Sequence, residues 1–173
     1  MRQKIHMIYL SLGSNLGDRF AYIEKAIEKI QAQVGEVKKL SPVYETPAWG
    51  YDGAAFLNAC IGITSQKSPE EVLDILLSIE RSLGRVRNQK EGYADRSIDL
   101  DILFYDDLVF ESSKLQLPHP RLALRQFILT PMQDIAGELL HPKLHKSINA
   151  LKEACPDEAK LTLWKKNLSL PKQ

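Results

Sequence analysis

The sequence contains little cysteine, and what it has is not arranged to bind a metal or to form a disulfide framework. Only Cys60 and Cys155 occur among its 173 residues, and neither has the spacing of a metal site. Cys60 lies in a strand-like run and is expected to be a buried, reduced thiol. Sparse cysteine of this kind is typical of a protein without disulfides, so we expect a cytoplasmic location.

The sequence also lacks a long apolar run, an excess of one charge and a secretory leader. Its net charge is +1, which provides no basic field for nucleic acid, and no apolar stretch approaches the length of a membrane span. Polar turn residues, rather than a small-residue cleavage site, follow the apolar residues 5–10. We therefore expect no nucleic-acid or membrane partner. We also expect the chain to be a monomer.

The composition that remains is that of an ordinary globular protein. A hydrophobic content of 44% over 173 residues is enough to bury a substantial core. No repeat, low-complexity segment or interdomain linker is visible. We expect one domain over residues 1–173, with a core at about 5–140 and a variable C-terminal extension at 141–173.

Hydrophobic periodicity predicts the order strand, helix, strand, strand, helix, strand. The strands are expected at residues 5–12, 36–44, 56–64 and 97–105, and the helices at 20–34 and after the Ser68 capping sequence. Later elements are a hairpin partner at 108–110, one or two short helices at 121–136, a helix at 147–154 and a short strand at 161–164. This order predicts an α+β, ferredoxin-like βαββαβ core, with helices packed on one face of an antiparallel sheet and a C-terminal helical extension.

The strand at 97–105 carries two acids within an otherwise apolar sequence. Side chains alternate along a strand, so Asp99 and Asp101 point to the same face, about 7 Å apart at the backbone. Ile98, Leu100, Ile102 and Phe104 are expected on the opposite, apolar face. Paired hard oxygen ligands suit Mg²⁺, although a half-exposed strand with solvated acids explains the strand alone about equally well.

A polar, glycine-containing loop at 84–96 precedes this strand. It brings four cations close to the acid pair, namely Arg85, Arg87, Lys90 and Arg96. Arginine offers a rigid two-pronged donor for phosphate oxygens. Carboxylates beside an arginine-rich loop favour Mg²⁺-dependent phosphoryl chemistry, and surface ion pairs with Glu91 and Asp95 are the alternative.

Other residues are weaker candidates. Phe56 and Asn58 share a strand face and could stack on a planar heterocycle while pairing with its edge, although an edge asparagine beside a core phenylalanine is about as probable. Glu80 lies beside the buried face of its helix, and His119 lies in a stiff Pro-His-Pro segment. No Gly-Lys-Ser/Thr phosphate loop is present, and we expect residues 13–15 to form a structural turn.

Taken together, these motifs resemble those of the 6-hydroxymethyl-7,8-dihydropterin pyrophosphokinase family. The matching sequences are Ser-Leu-Gly-Ser-Asn-Leu-Gly-Asp at 11–18, Tyr-Glu-Thr-Pro at 44–47, Phe-Leu-Asn-Ala at 56–59, Ile-Glu at 79–80, Gly-Arg-Val-Arg at 84–87, Arg-Ser-Ile-Asp-Leu-Asp-Ile at 96–102, Pro-His-Pro-Arg at 118–121 and Arg-Gln-Phe at 125–127. They occur in the family's order across roughly residues 8–140.

The resemblance implies transfer of the β,γ-pyrophosphate of ATP to a pterin hydroxymethyl group, with release of AMP, in folate biosynthesis. It implies two Mg²⁺ ions on Asp99 and Asp101, with Arg85 and Arg96 also catalytic. The implied ATP contacts are Glu80, Arg85, Arg87, Lys90, Arg96, Ile102, Lys114, Gln116, His119 and Arg125. The implied pterin contacts are Thr46, Pro47, Ala48, Trp49, Phe56, Asn58, Tyr93, Asp99 and Phe127, with the ring between Phe56 and Phe127.

The loop before the acid strand departs from the family pattern. Many members carry Arg-Trp-Gly-Pro-Arg there, whereas this chain has Lys90-Glu-Gly-Tyr93-Ala-Asp-Arg96. Tyr93 would replace the covering tryptophan, and Lys90 a loop arginine. Two other classes remain open at this stage: a nucleotidyltransferase that attacks the α-phosphate, and a ferredoxin-like binding module without activity.

Overall fold

The computed structural model describes residues 2–85 and 95–173. The main sheet contains β1 (His6–Ser14), β2 (Glu36–Leu40), β3 (Tyr44–Thr46), β4 (Phe56–Ser65), β5 (Asp99–Tyr105) and β8 (Thr162–Leu163). The α-helices are α1 (Arg19–Gln33), α2 (Pro69–Ser82), α3 (Gln126–Ala136) and α4 (Ile148–Ala154). A second, two-stranded sheet pairs β6 (Phe110–Glu111) with β7 (Gln116–Leu117).

Local sequence signals explain where the first two helices begin. The Ser68 hydroxyl accepts the Glu71 N–H, and the Glu71 carboxylate accepts the Ser68 N–H, so both halves of a capping box are present at α2. Asp18 caps α1 by accepting the Ala21 N–H. The helix start predicted at Ser68 is therefore confirmed.

The main sheet is antiparallel at every pair within the described residues, in the order β5-β1-β4-β3-β8, with β2 also paired to β4. Helices α1 and α2 pack on one face, over residues such as Leu10, Ile61 and Ile102. Helices α3 and α4 cover part of the other face, around Cys60 and Phe104. The protein is thus a mixed α and β fold with helices on both faces of the sheet, where the sequence led us to expect one.

Three local predictions were wrong. The strand expected at 36–44 is two strands, β2 and β3, separated by Ser41–Val43 around Pro42. The segment at 108–110 does not pair with β5, because Phe110 pairs with Leu117 in the small sheet. The third concerns β1, which runs through Ser14, so Gly13 lies in a strand rather than in a turn.

A β-bulge also changes the faces of β5. The register between β1 and β5 shifts between Tyr9 and Leu10, because Tyr9 pairs with Phe104 and Leu10 with Ile102. Leu103 is the extra residue, and the alternation reverses after it. Phe104 therefore packs with α3 and α4 rather than on the predicted face with Ile102. Asp99 and Asp101 precede the bulge and keep the predicted common face.

None of the described helices combines the length and the apolar character that crossing a membrane requires.

Candidate active site

A cavity of about 370 Å³ opens on the same sheet face as α3 and α4, beside the part that these helices cover. Its walls come from β5, β4, the loop at 47–55, the flanks of the segment at 86–94 and the chain before α3. The lining residues are Thr46, Pro47, Trp49, Tyr51, Phe56, Asn58, Arg85, Arg96, Asp99, Asp101, His119, Pro120, Arg121, Arg125 and Phe127.

Gly13 lies in β1 between the acid strand and the strand that carries Asn58. It pairs with Asp99 on one side and with Asn58 on the other, so the three residues form one row across the sheet. A Cβ atom on Gly13 would lie 2.7 Å from Asn58 Oδ1 and 3.4 Å from Phe56 Cδ1. The missing side chain therefore leaves space that the Asn58 amide occupies.

Arg85, Arg96, Asp99 and Asp101 form what we call the charged end of the cavity, with Glu80 buried behind Arg85. Arg85 Nη1 donates to Glu80 Oε2 at 2.5 Å and to Asp99 Oδ1 at 2.6 Å. Arg96 Nη1 donates to Asp99 Oδ2 at 3.3 Å. Both carboxylate oxygens of Asp99 thus face a guanidinium, which offsets the repulsion expected from neighbouring acids on a strand.

Burial and neighbouring charge shift the proton affinities at the charged end. Desolvation, followed by the charges of Asp99 and Glu80, raises the pKa of Asp101 to about 7. Desolvation lowers the pKa of Arg85, but Asp99 and Glu80 outweigh it, so that pKa is raised overall. A cation placed between the acids would favour the ionised form of Asp101.

His119 lies in the cavity wall as a neutral imidazole at neutral pH. Burial, followed by the positive charge of Arg125, lowers its pKa to about 4. Its Nδ1 accepts the Arg121 N–H at 3.1 Å, and its backbone N–H donates to Leu103 O at 3.0 Å. The ring is therefore fixed against β5, with its Nδ1 committed as an acceptor.

Thr46, Trp49, Phe56, Asn58 and Phe127 form the aromatic end. Asn58 Nδ2 donates to Thr46 Oγ1 at 2.7 Å, which sets the orientation of a buried amide. The Arg125 guanidinium lies 4.6 Å from the centroid of Trp49 and 5.4 Å from that of Phe127. Arg125 thus joins the loop at 47–55 to the start of α3 through contacts with two aromatic faces.

Sequence reasoning missed a buried hydrogen-bond centre beside the cavity. Asn15 Nδ2 contacts Tyr51 OH, Ala54 O and Asp95 Oδ1 at 3.0, 3.0 and 2.7 Å. Asn15 also exchanges two bonds with the Arg96 backbone. It therefore ties the loop at 47–55 to the segment that carries Arg96. The signal available is the Gly-Ser-Asn sequence at the end of the first strand, for which the sequence alone predicts a turn.

The oxygen donors at the charged end suit Mg²⁺ rather than a softer metal. Asp99 and Asp101 share a face and are the acids that line the cavity. Within residues 2–85 and 95–173, no group of three or more acidic, histidine or cysteine side chains is arranged to hold a metal ion. A two-carboxylate site suits an ion that takes its remaining ligands from phosphate oxygens and water.

Most of the predicted site residues that the structure describes line this same cavity. Five do not: Ala48, Glu80, Ile102, Lys114 and Gln116. Glu80 is 1% exposed behind Arg85, Ile102 is in the core and Lys114 is exposed. Arg87, Lys90 and Tyr93 lie outside the described residues. Tyr51, Pro120 and Arg121 line the cavity without having been predicted, and the roles of all these residues remain predictions.

Comparison with known proteins identifies the family. The family model "7,8-dihydro-6-hydroxymethylpterin-pyrophosphokinase (HPPK)" matches residues 9–137. A 2-amino-4-hydroxy-6-hydroxymethyldihydropteridine pyrophosphokinase of Porphyromonas gingivalis is 43% identical over 140 residues, which cover 79% of this chain and 95% of the relative. A folic acid synthesis protein of Pneumocystis carinii is 42% identical over 151 residues, which cover 87% of this chain and 20% of that longer protein.

A solved structure shows the same fold. The crystal structure of Plasmodium falciparum HPPK-DHPS with pteroate aligns with a TM-score of 0.73 over 89% of this chain and 43% of that chain, at 18% identity. The match therefore spans less than half of the solved chain, and at this identity it establishes the fold alone. With the family model and the relatives that match above 40% identity, however, the assignment is clear: this chain belongs to the 7,8-dihydro-6-hydroxymethylpterin pyrophosphokinase family.

Proposed function

We propose that this chain transfers the β,γ-pyrophosphate of ATP to the hydroxymethyl group of 6-hydroxymethyl-7,8-dihydropterin, as a step of folate biosynthesis. The pterin hydroxyl oxygen bonds to the β-phosphorus, and the bond from that phosphorus to the α,β-bridging oxygen breaks. AMP leaves with the bridging oxygen, and the hydroxyl proton is released. This is the activity of a pyrophosphokinase, with ATP as co-substrate.

The observation that carries the proposal is the joining of two chemically different ends in one cavity. The charged end presents two acids and two arginines, which suit polyphosphate. The aromatic end presents an oriented amide beside Phe56 and Phe127, which suits a flat heterocycle with donors and acceptors along its edge. Gly13 separates Asp99 from Asn58 in the row across the sheet, so a pterin at one end and a phosphate chain at the other can meet above it.

At the charged end, Asp99 and Asp101 would hold Mg²⁺, for which we propose two ions. When bound, Mg²⁺ neutralises phosphate charge and makes the pterin hydroxyl easier to deprotonate. Arg85 and Arg96 stabilise negative charge on the transferred group. To do so, each guanidinium must give up part of its hydrogen bonding to Asp99 and donate to phosphate oxygens instead. This is feasible because guanidinium donors pair with both carboxylate and phosphate.

We assign the pterin to the aromatic end. Asn58 uses its remaining amide capacity to pair with the pterin edge, while Phe56 and Phe127 stack on the ring. Thr46, Pro47, Ala48 and Trp49 would complete this wall through backbone groups, together with Tyr93 and Asp99.

The proposed ATP contacts lie mainly at the charged end and before α3, and Arg125 among them also contacts the rings of Trp49 and Phe127 at the aromatic end. His119 and Arg125 approach from the chain before α3, and Ile102 offers its backbone. Lys114 and Gln116 approach from the small sheet. Glu80 contributes by holding Arg85, and Arg87 and Lys90 belong to the same group of proposed contacts.

For the core we propose the ferredoxin-like βαββαβ class. The strand order β5-β1-β4-β3, with α1 after β1 and α2 after β4, supports it. We further propose that the chain works as one domain and as a monomer in the cytoplasm.

Product analysis tests the proposed reaction. Purified protein is incubated with ATP and Mg²⁺, with and without 6-hydroxymethyl-7,8-dihydropterin, and the nucleotide products are separated. We expect pterin-dependent formation of AMP without free pyrophosphate, and no turnover when Mg²⁺ is chelated. Release of pyrophosphate would indicate nucleotidyl transfer instead, and no turnover with any hydroxymethylpterin would indicate a binding module.

A further inference from the structure

The C-terminal extension contacts the base of the loop at 47–55, which forms part of the aromatic end. Strand β8 pairs with β3, with Tyr44 opposite Leu163 and Glu45 opposite Thr162. The Trp164 N–H continues this pairing by donating to Val43 O at 2.8 Å. Strand β3 ends at Thr46, where the loop begins. The extension therefore covers the edge strand that leads directly into the cavity wall, and it lies beyond the residues matched by the family model.

Arg19 connects Trp164 to both ends of that loop. Its Nη2 lies 2.8 Å from Glu45 Oε2, just before the loop, and its Nη1 donates to Ala55 O at 3.0 Å, at the end of the loop. The guanidinium lies 5.1 Å from the centroid of the Trp164 ring. A half-buried arginine shared by an acid, a carbonyl and an aromatic face is held far better than one in an exposed ion pair.

The extension also contacts the opposite wall of the aromatic end. Asp157 Oδ2 accepts the N–H of Gln126, the first residue of α3, at 3.0 Å. Arg125, which precedes the helix, has no side-chain acceptor with which to cap it, so Asp157 performs this function from a distant part of the chain. Arg125 and Phe127 flank the capped residue, and both line the cavity.

We propose that residues 157–164, which we call the brace, position both walls of the pterin site. Trp164 acts through Arg19 on the loop that carries Trp49, and Asp157 acts through the start of α3 on Phe127. These are positioning residues, since the cavity lining does not include them. This proposal rests on the proposed function, because it assumes that the pterin lies between these two walls.

A purely structural role for the brace predicts something different. If the extension only stabilised the fold, weakening it would lower the melting temperature and reduce the amount of active enzyme. Both substrates would then be affected alike, with kcat falling and neither KM changing. If the brace positions the aromatic end, KM for the pterin rises by a larger factor than KM for ATP, for which Arg125 is a proposed contact.

Kinetics of four variants of the full chain test this. Trp164→Ala and Asp157→Ala each remove one brace contact, and we expect each to raise KM for the pterin by about threefold to tenfold. Trp164→Phe and Asp157→Asn should restore much of the wild-type value. Phe keeps an aromatic face, and the Trp164 indole N–H makes no hydrogen bond to the described residues. Asn keeps the capping acceptor.

The control is Leu170→Ala, which truncates an exposed side chain of the same extension and should leave both KM values unchanged. If Trp164→Ala does not fold, Arg19→Gln removes the same contact from the other side. Hydrogen exchange of the ligand-free protein gives a readout that needs no substrate. Amides at 47–55 should exchange faster in Trp164→Ala, and amides at the start of α3 faster in Asp157→Ala, with β1 and β4 unchanged.

Unchanged KM for the pterin in both alanine variants would overturn the brace, as would an equal rise in both KM values. A wild-type protein that forms no AMP with the pterin would overturn the proposed function instead. In that case the exchange experiment still decides the brace: uniform protection across all variants would refute it, and local loosening at 47–55 and at α3 would support it.

Discussion

The charged end and the aromatic end of the cavity satisfy their polar groups in different ways. At the charged end, acids and arginines pair with one another, as Arg85 does with Glu80 and Asp99. At the aromatic end, the one buried amide is set by a neutral hydrogen bond from Asn58 to Thr46. A ligand at the charged end must therefore replace existing ion pairs, whereas a ligand at the aromatic end meets a prearranged surface. Mutations at the charged end should thus mainly lower turnover, and mutations at the aromatic end should mainly weaken pterin binding.

The acid pair should give the largest effect. Asp99→Asn and Asp101→Asn keep the side-chain shape and remove a proposed metal ligand, so we expect turnover to fall at least about a hundredfold, close to 3 kcal/mol of barrier. The fold should survive, because one of two neighbouring acids is neutralised. Steady-state kinetics at limiting Mg²⁺ measures this. Asp107→Asn, at an exposed turn acid, is the control, and near-normal turnover in both site variants would contradict the assignment.

Replacing either arginine should lower turnover, but the two variants should differ in their free energy of unfolding. Both Arg85→Ala and Arg96→Ala should lower kcat by about tenfold or more, with a smaller change in ATP affinity. Arg85→Ala also leaves the buried Glu80 without this partner, so its free energy of unfolding should fall by about 3 kcal/mol. Arg96→Ala should lose less, because its contact with Asp99 is longer, at 3.3 Å, and Asp99 keeps its bond from Arg85. Equal stability losses in urea denaturation would show that Glu80 does not depend on Arg85.

Changes at the aromatic end should weaken pterin binding without affecting ATP. Asn58→Asp and Asn58→Leu should each cost about 1–3 kcal/mol of pterin binding, because buried polar groups are left unpaired. Phe56→Leu and Phe127→Leu should cost about 1 kcal/mol each through lost stacking. Calorimetry with each ligand separates the two ends. A collapse of ATP affinity with intact pterin binding would mean that the two sites are exchanged.

Gly13→Ala tests the boundary between the two ends. The new methyl group would meet Asn58 Oδ1, the far end of a side chain that can rotate away. We expect a stability change below about 1 kcal/mol, but weaker pterin binding because the amide leaves its oriented position. A double mutant with Asn58→Leu should show no further loss of pterin affinity. A fully additive loss would indicate that Gly13 contributes independently of Asn58.

The last effect concerns pH and His119. Its folded pKa lies near 4, below the ordinary value near 6.5, so the unfolded chain binds more protons between these pH values. The free energy of unfolding should therefore fall as the pH drops from 6.5 towards 4. His119→Gln should reduce this fall by about 1–2 kcal/mol between pH 7.5 and 5. His141 is present in both proteins and cancels in the comparison, and parallel pH curves would contradict a neutral, buried His119.

Short-range features could be predicted from the sequence. The common face of Asp99 and Asp101 follows from the period of a strand over two residues, and the start of α2 follows from the four residues at its cap. Each depends on a few neighbouring positions. The family motifs predict the order of the other candidate site residues along the chain.

Long-range features could not be predicted. The contacts of Asn15 with Tyr51 and Asp95 join segments 36 and 80 residues apart, and nothing local in the sequence indicates them. The acids at 106–107 predict a turn that would pair residues 108–110 with β5, and nothing local in the sequence shows that Phe110 pairs with Leu117 instead. The face of Phe104 depends on a bulge in the pairing of β5 with β1, and nothing local in the sequence indicates it.

The bulge at Leu103 divides β5 into two parts with different side-chain alternation. Before Leu103, the alternation places the acids in the cavity. After Leu103, it places Phe104 against α3 and α4. An unbroken strand would tie both halves to one alternation, so adjusting either would disturb the other. Because the alternation changes at Leu103, the apolar part of β5 can be redesigned for a different helix packing while the part that carries the acids keeps its geometry. A designer who transplants this site would need to carry β5 only as far as Leu103, whose carbonyl accepts the His119 N–H.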